Sequence, residues 1–341
     1  MINSVQVSLL VVVIGLSVNS GNAQSSYQVP LTEYGQPDLQ GVWNFASNIP
    51  LERPEQFGNK EILTVAEVAQ LREQREAQLA AAAAARNADE SPQTVGGYND
   101  FWFEVAGLQS DLRTSLIVYP ANGRIPPVKE GIFVQKSDAS GDTVIPGDRP
   151  VRYTVGGIGY DGPEDRGLSE RCLVGFNSGP PFIPSLYNNN VQIFQSKHHA
   201  AILTEMIHDA RIVSLEDRIP LDAGVRQWSG DSRGYFDGDV LVVETRNFNQ
   251  LTGSFGNPST AYGVSTHKVL TERFIRKDFD TMEYEFTIED SENYIDKIVA
   301  RIPMTKVAGQ LYEYACHEGN YGLTNILRGA RAQEMKEVSN N

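Results

Sequence analysis

The clearest pattern in the chain is a strict alternation over Thr281 to Glu289. Met282, Tyr284, Phe286 and Ile288 fall on one face, and Glu283, Glu285, Thr287 and Glu289 on the other. A two-residue period of this kind predicts an antiparallel strand with one buried and one wet face. Shorter runs predict strands over Val191 to Gln195, His199 to Glu205 and Ala210 to Leu215, which read as a meander. Val264 to Ile275 and Tyr294 to Ile302 add two more. Asp237-Gly238, between Gly234-Tyr235-Phe236 and Val240-Leu241-Val242-Val243, predicts a hairpin, because the dipeptide suits a tight turn with positive φ. Ser115 to Tyr119, Val151 to Val155 and Tyr312 to Ala315 are shorter candidates.

The helical period is found at two places. Thr64-Val65-Ala66-Glu67 is a capping box, in which the Thr hydroxyl and the Glu carboxylate each satisfy an amide left over at the helix start. From Val65 to Arg86 the chain is rich in Ala, Gln, Glu, Leu and Arg, all strong helix formers, but its apolar stripe of Val68, Leu71 and Leu79 is thin. A helix over 64–86 therefore lies across a surface. Leu323 to Met335 predicts a closing helix. About ten short strands with no helices between them predict a mainly β fold: one large antiparallel, calycin-like barrel with an N-terminal helical excursion and a short C-terminal helix. A β-sandwich is the alternative. The chain then divides into residues 1–23, a signal peptide; 24–97, an extension carrying the first strand and the helix; and 98–341, the barrel.

The signal reading rests on Val5 to Val18, an apolar run too short to span a bilayer and followed by the small residues Gly21 and Ala23. It places the mature protein in the periplasm or outside the cell, with no membrane span. In an oxidising compartment Cys172 and Cys316, the chain's 2 cysteines, read as a disulfide rather than as thiols. Charge narrows the partners: 43 acidic against 29 basic residues give a net charge of −14, with no basic cluster. Nucleic acid is therefore not expected, and a small molecule is the partner class that remains. No phosphate-binding loop is read between a strand and a helix, no nucleophile elbow at such a junction, and no zinc-protease helix. No cofactor is expected.

Three polar clusters carry candidate chemistry. In Ile207-His208-Asp209-Ala210-Arg211 a carboxylate beside an imidazole fixes its tautomer, and the Arg holds an anion. Gly230-Asp231-Ser232-Arg233-Gly234 frames an Asp, a hydroxyl and an Arg between glycines. Ala315-Cys316-His317-Glu318-Gly319-Asn320-Tyr321 is the densest, and a bridged Cys316 makes the backbone presenting His317 and Glu318 rigid. The plainer readings are a strand-end ion pair, a turn with an Asx bond and a pinned C-terminal turn. His199, His208 and His317 as zinc ligands is a further alternative, with His198-His199 as a solvated turn the simpler one. Trp102 and Tyr235 are candidate cavity-lining aromatics.

Pro37-Asp38-Leu39 with Gly41-Val42-Trp43, then Glu205-Met206-Ile207-His208-Asp209-Ala210-Arg211, Gly230 to Gly234 and Ala315 to Tyr321, resemble a large group of uncharacterised exported bacterial proteins. The likeness runs from about Pro37 to Arg331 and implies no assigned activity. Gly41-Val42-Trp43 and the strand pattern are also similar to lipocalin-type barrels, which include binders, cyclases and isomerases. That likeness implies Arg273 stacked on Trp43.

The expectation is an exported, cofactor-free enzyme doing acid–base chemistry (elimination or hydration, isomerisation or cyclisation) on a small organic molecule in the barrel. His208, Asp209, His317 and Glu318 are its expected catalytic groups, and Arg211, Asp231, Arg233, Trp102 and Tyr235 its substrate contacts. The alternative is a periplasmic carrier for an apolar or amphiphilic ligand. A structural envelope module is a third reading.

Overall fold

The computed structural model describes residues 27–88, 111–132, 134–136, 161–257 and 260–340. In chain order its elements are β1 (Gly41–Asn44), α1 (Val65–Ala88), β2 (Ile117–Tyr119), β3 (Val134–Lys136), β4 (Asn190–Gln195), β5 (His199–Thr204) and β6 (Ala210–Ser214). They continue with β7 (Asp231–Asp237), β8 (Val240–Arg246), β9 (Phe255–Asn257), β10 (Thr260–Tyr262), β11 (Val269–Arg276), β12 (Thr281–Glu289), β13 (Ile298–Val307) and α2 (Tyr321–Asn340).

Nine strands close into a barrel in the order β1-β4-β5-β6-β7-β8-β11-β12-β13, and β13 returns to β1. A ring with an odd number of strands cannot alternate direction all the way round. The exception falls between β6 and β7, which run parallel and meet only at Ser214 and Arg233; every other junction is antiparallel, as expected. The loop of residues 215–230 carries the chain back so that β7 can start beside β6. β13 serves two neighbours on one edge: β2 pairs near its start, at Val299 and Ala300, and β1 near its end, at Thr305 to Val307. The first strand thus belongs to the barrel itself, although it lies within the extension of residues 24–97. A small sheet of β3, β10 and β9, which the sequence pattern did not reveal, is separate.

The alternation read from the sequence is the barrel's inside and outside. β11 and β12 bury every second residue: Leu270, Glu272, Phe274 and Arg276, and opposite them Met282, Tyr284, Phe286 and Ile288. The interior is filled by side chains of the strands, among them Trp43, Ile193, Ile202, Val213, Leu241 and Ile302, all essentially without solvent contact. The loop before β4 also reaches in: Phe182 is 1% exposed and stacks on Phe45, with ring centroids 5.5 Å apart.

Several expected boundaries move. Residues 265–267 form a 3₁₀ turn ahead of β11 rather than part of it. The strand expected from Tyr294 starts at Ile298, because Tyr294 is held in a turn by its amide bond to Asp290. Tyr312 to Ala315 is irregular, and among the described residues no strand pairs with it. Val151 to Val155, Trp102 and the signal segment lie outside the described residues. The helix starts where the capping box places it: Thr64 donates its amide to Glu67 at 2.8 Å, and Glu67 donates back to the Thr64 hydroxyl at 3.3 Å. The Lys60 ammonium, then the Thr64 donors, hold the Glu67 carboxyl down at about 2.

Arg273 does not cover Trp43. Strand alternation turns it outward, where it meets Asp237 at 3.3 Å. Arg276, three residues on and on the inner face, has its guanidinium 5.7 Å from the Trp43 ring centroid.

Candidate functional site

The Glu205 to Arg211 motif lies at the end of the barrel where β5 turns into β6, in contact with Tyr314 and Ser229, the residues just ahead of two of the other motifs. The turn Glu205 to Asp209 is tight and strained: Ile207 has φ 64° and His208 φ 46°, in the left-handed region that a β-branched residue rarely enters. Its surroundings hold it there. Thr204 donates its amide to the Asp209 carbonyl at 2.9 Å and its hydroxyl to the Met206 carbonyl at 3.2 Å, while Asn190 donates to the Glu205 carboxylate at 2.8 Å. Met206 and Ile207 are buried, which anchors the turn and leaves His208 exposed. Gly175 is packed so close that a Cβ there would stand 2.4 Å from Met206 Cγ.

His208 is not loose despite its exposure. Its Nδ1 lies 3.1 Å from the Tyr314 carbonyl oxygen. A carbonyl only accepts, so the bond places the proton of a neutral ring on Nδ1 and leaves Nε2, on this exposed residue, as the ring's proton-accepting nitrogen. Tyr314 stands two residues before Cys316, which is bonded to Cys172 with Cα atoms 5.8 Å apart. Asn320 adds a second tie, donating to the Glu170 carbonyl at 2.7 Å and accepting from the Leu323 amide at 3.3 Å to cap α2. The disulfide read from the sequence is thus present, and it braces the strip on which His208 leans. His317 and Glu318 lie on that strip and are exposed.

Asp209 joins this surface to the interior. Its carboxylate accepts from the Ser229 hydroxyl at 2.9 Å, and its charge is felt by Arg211. Arg211 points into the barrel, where its Nη2 donates to Glu272 Oε1 at 2.8 Å and its Nη1 donates to Glu272 Oε2. Tyr284 donates to the same Glu272 Oε1 at 2.7 Å, and its own hydroxyl accepts from the Phe182 amide at 3.2 Å. Ser232 and Thr245, bonded to each other at 2.9 Å, complete the set within reach of Arg211. Burial, then the Glu272 charge, push the Tyr284 hydroxyl well above its ordinary range, against the pull of Arg211. For Arg211 burial works downward, yet the Glu272 charge and hydrogen bonds outweigh it and hold the guanidinium above its usual value. This is a buried ion pair closed over by an aromatic plug, and Arg211 spends its fork on Glu272 rather than on an open anion site.

The other expected contacts lie outside the barrel. Along β7 the inward residue is Ser232, so Asp231, Arg233 and Tyr235 face outward, and Tyr235 is 59% exposed. Arg233 pairs with Asp231 at 3.0 Å and donates to the carbonyls of Arg218 and Ile219, which pins the crossover loop between β6 and β7. Gly230-Asp231-Ser232-Arg233-Gly234 does carry Gly-x-Ser-x-Gly spacing, but Ser232 sits inside a strand with its hydroxyl on Thr245, not at a strand-to-helix turn. Gly157 to Gly162 has dinucleotide-loop spacing, but the chain continues from it into a three-residue 3₁₀ turn, Pro163–Asp165, instead of a helix. The three-histidine zinc arrangement does not form. His199 opens β5 and His208 lies beyond its far end, which sets them about 17 Å or more apart along an extended strand. Among the described residues no group of three His, Cys, Asp or Glu is arranged to hold a metal.

Glu272 and Tyr284 are the interior groups that motif reading did not select as site residues. Their signal was the strand period, which puts Glu272 on the same face as Leu270 and Phe274. No family model, no curated protein and no solved structure matches the chain. The fold defines the protein as a closed, plugged β-barrel with a disulfide-braced end.

Proposed function

We propose that the braced end of the barrel is the site of cofactor-free acid–base chemistry on a small organic molecule, with His208 Nε2 as the proton acceptor. The observation that carries this reading is the His208 geometry. A solvent-facing imidazole, on a turn with two successive left-handed residues, has its tautomer set by the Tyr314 carbonyl. Strain of this kind survives only where the surroundings impose it, and it gathers at sites that need a fixed geometry. Asp209 follows His208 in the chain and is held by Ser229, and His317 and Glu318, on the strip that the disulfide braces, are the further exposed groups that the reading assigns to proton transfer. Export is part of the proposal, supported by the disulfide and by the apolar leader. Carriage of an apolar ligand within the barrel is less well supported, because Phe182, Phe45 and Tyr284 plug the interior.

The test is proton exchange. Wild-type protein and His208→Ala are incubated in deuterium oxide with a panel of small carbonyl acids and esters, and loss of acidic C–H signals is monitored by proton NMR. The expected result is exchange of at least one panel member that His208→Ala slows by about 100-fold or more, the scale of general base catalysis. No exchange across the panel, or exchange that His208→Ala leaves unchanged, overturns the proposal.

A further inference from the structure

One concavity lies away from the barrel end. It is a cleft of about 590 Å³ between α1 and the segments around residues 48–57 and 111–114, within the size range of small-molecule sites. Its apolar wall includes Phe57, Leu63, Val68 and Leu71. Val68 and Leu71 are members of the thin α1 stripe, so the helix turns part of its apolar face to a gap instead of to a filled core. The opposite wall is rigid: Leu63 donates its amide to the Leu112 carbonyl at 2.7 Å, Thr114 donates to the Glu61 carbonyl at 2.9 Å, and the buried Arg53 donates to the Thr114 hydroxyl at 2.9 Å.

Two guanidinium groups line this cleft, with one carboxylate between them in charge. Asp111 takes Nε and Nη2 of Arg113, and Nη1 of Arg113 is buried with no hydrogen-bond partner. Among the described residues, the side chain of Arg72, on α1, has neither a hydrogen bond nor an ion pair. With Asp111 spent on Arg113, the cleft keeps an excess positive charge beside an apolar wall.

We infer that the cleft binds an amphiphilic carboxylate, its apolar chain along Phe57, Leu63, Val68 and Leu71 and its carboxylate between Arg72 and Arg113. Nη1 is sealed from water in the free protein, so binding turns the Arg113 side chain toward the cleft and gives that donor the acceptor it lacks. The inference is independent of the chemistry proposed at His208.

Octanoate and 1-octanol, an acid and a neutral alcohol with the same eight-carbon chain, are titrated calorimetrically into the mature protein and three variants. The expected result is octanoate binding at least about tenfold tighter than octanol in the wild type. Arg72→Gln weakens octanoate by about tenfold, leaves octanol unchanged and leaves the circular dichroism spectrum intact. Leu71→Asn weakens both ligands, and His208→Ala weakens neither. Equal affinity for the two ligands, octanoate binding unmoved by Arg72→Gln, loss of octanoate binding in His208→Ala, or no binding of either ligand overturns the inference.

Discussion

Arg211 and Glu272, 61 residues apart in sequence, meet inside the barrel in a two-pronged ion pair, with Glu272 fully buried and Arg211 8% exposed. Two desolvated charges stabilise a fold only through each other, so removing one strands its partner. Arg211→Met is expected to cost about 3–5 kcal/mol, and Arg211→Met with Glu272→Leu to cost much less than the two single changes summed. Urea unfolding of the four proteins of this cycle measures the coupling. Additive losses would mean that the pair is not formed in solution.

Tyr284 gives the same cluster a pH signature. Burial and the Glu272 charge raise its hydroxyl pKa, so the folded chain keeps a proton that the unfolded chain has released above about pH 10. The stabilisation is whole below the unfolded value and shrinks as pH rises toward the folded one, with a slope approaching about 1.4 kcal/mol per pH unit. Wild-type stability is therefore expected to fall more steeply than that of Tyr284→Phe between about pH 10 and 11.5, although the variant starts about 1–3 kcal/mol lower for its unpaired Phe182 amide. Parallel slopes in denaturant titrations across that range would contradict the assignment.

These two residues also mark where the sequence was readable and where it was not. Period-two alternation located β12 to the residue, and shorter runs located β4, β5 and β6, most of β11, the first part of β8 and half of β13, because a strand with one buried face writes its period into side-chain type. The same period puts Tyr284 on a buried face, and in the structure Glu272 falls in phase with Leu270 and Phe274; what no period tells is that Arg211, from a strand of the ring well removed in sequence, points at both. Motif density drew attention to Asp231, Arg233 and Tyr235, yet alternation turns all three outward. The parallel junction between β6 and β7 was hidden because strand direction depends on the crossover loop, which carries no period. The lipocalin likeness implies an arginine over Trp43 but gives no ground for Arg273 over Arg276, and the inward phase of β11 decides between them.

Arg276 ties the N-terminal motif to the far side of the barrel. Its guanidinium donates to the carbonyls of Asp38 at 2.6 Å, Asp278 at 3.2 Å and Phe279 at 3.2 Å, while covering Trp43. A lysine has one compact ammonium and cannot span three carbonyls in a plane. Arg276→Lys is expected to lose about 1–3 kcal/mol and to shift Trp43 emission, with Arg273→Lys at the exposed Asp237 pair within about 0.5 kcal/mol of wild type. Thermal melts with tryptophan fluorescence compare the two; equal losses would remove the distinction between inner and outer arginines.

The Cys172–Cys316 bridge joins the loop that carries the plug to the strip on which His208 leans, across a sequence separation of 144. Closing a loop of that length removes entropy from the unfolded chain worth up to about 5 kcal/mol. The paired change Cys172→Ala with Cys316→Ala is therefore expected to lower unfolding free energy by about 2–5 kcal/mol without dissolving the barrel, whose strands pair independently of it. The contacts of the bridge add two further effects. Tyr314 is released from its position, so the His208 imidazole loses the acceptor that fixes its proton on Nδ1, and nitrogen NMR of the ring is expected to move from a dominant Nδ1–H tautomer toward the ordinary mixture. The loop bearing Phe182 keeps its aromatic contacts with Phe45 and Tyr284, so the near-ultraviolet circular dichroism of the interior is expected to persist. A tautomer change with the interior signal retained separates a brace for His208 from a staple for the whole fold. Loss of both together would make the bridge a general staple and remove the special link between the disulfide and His208.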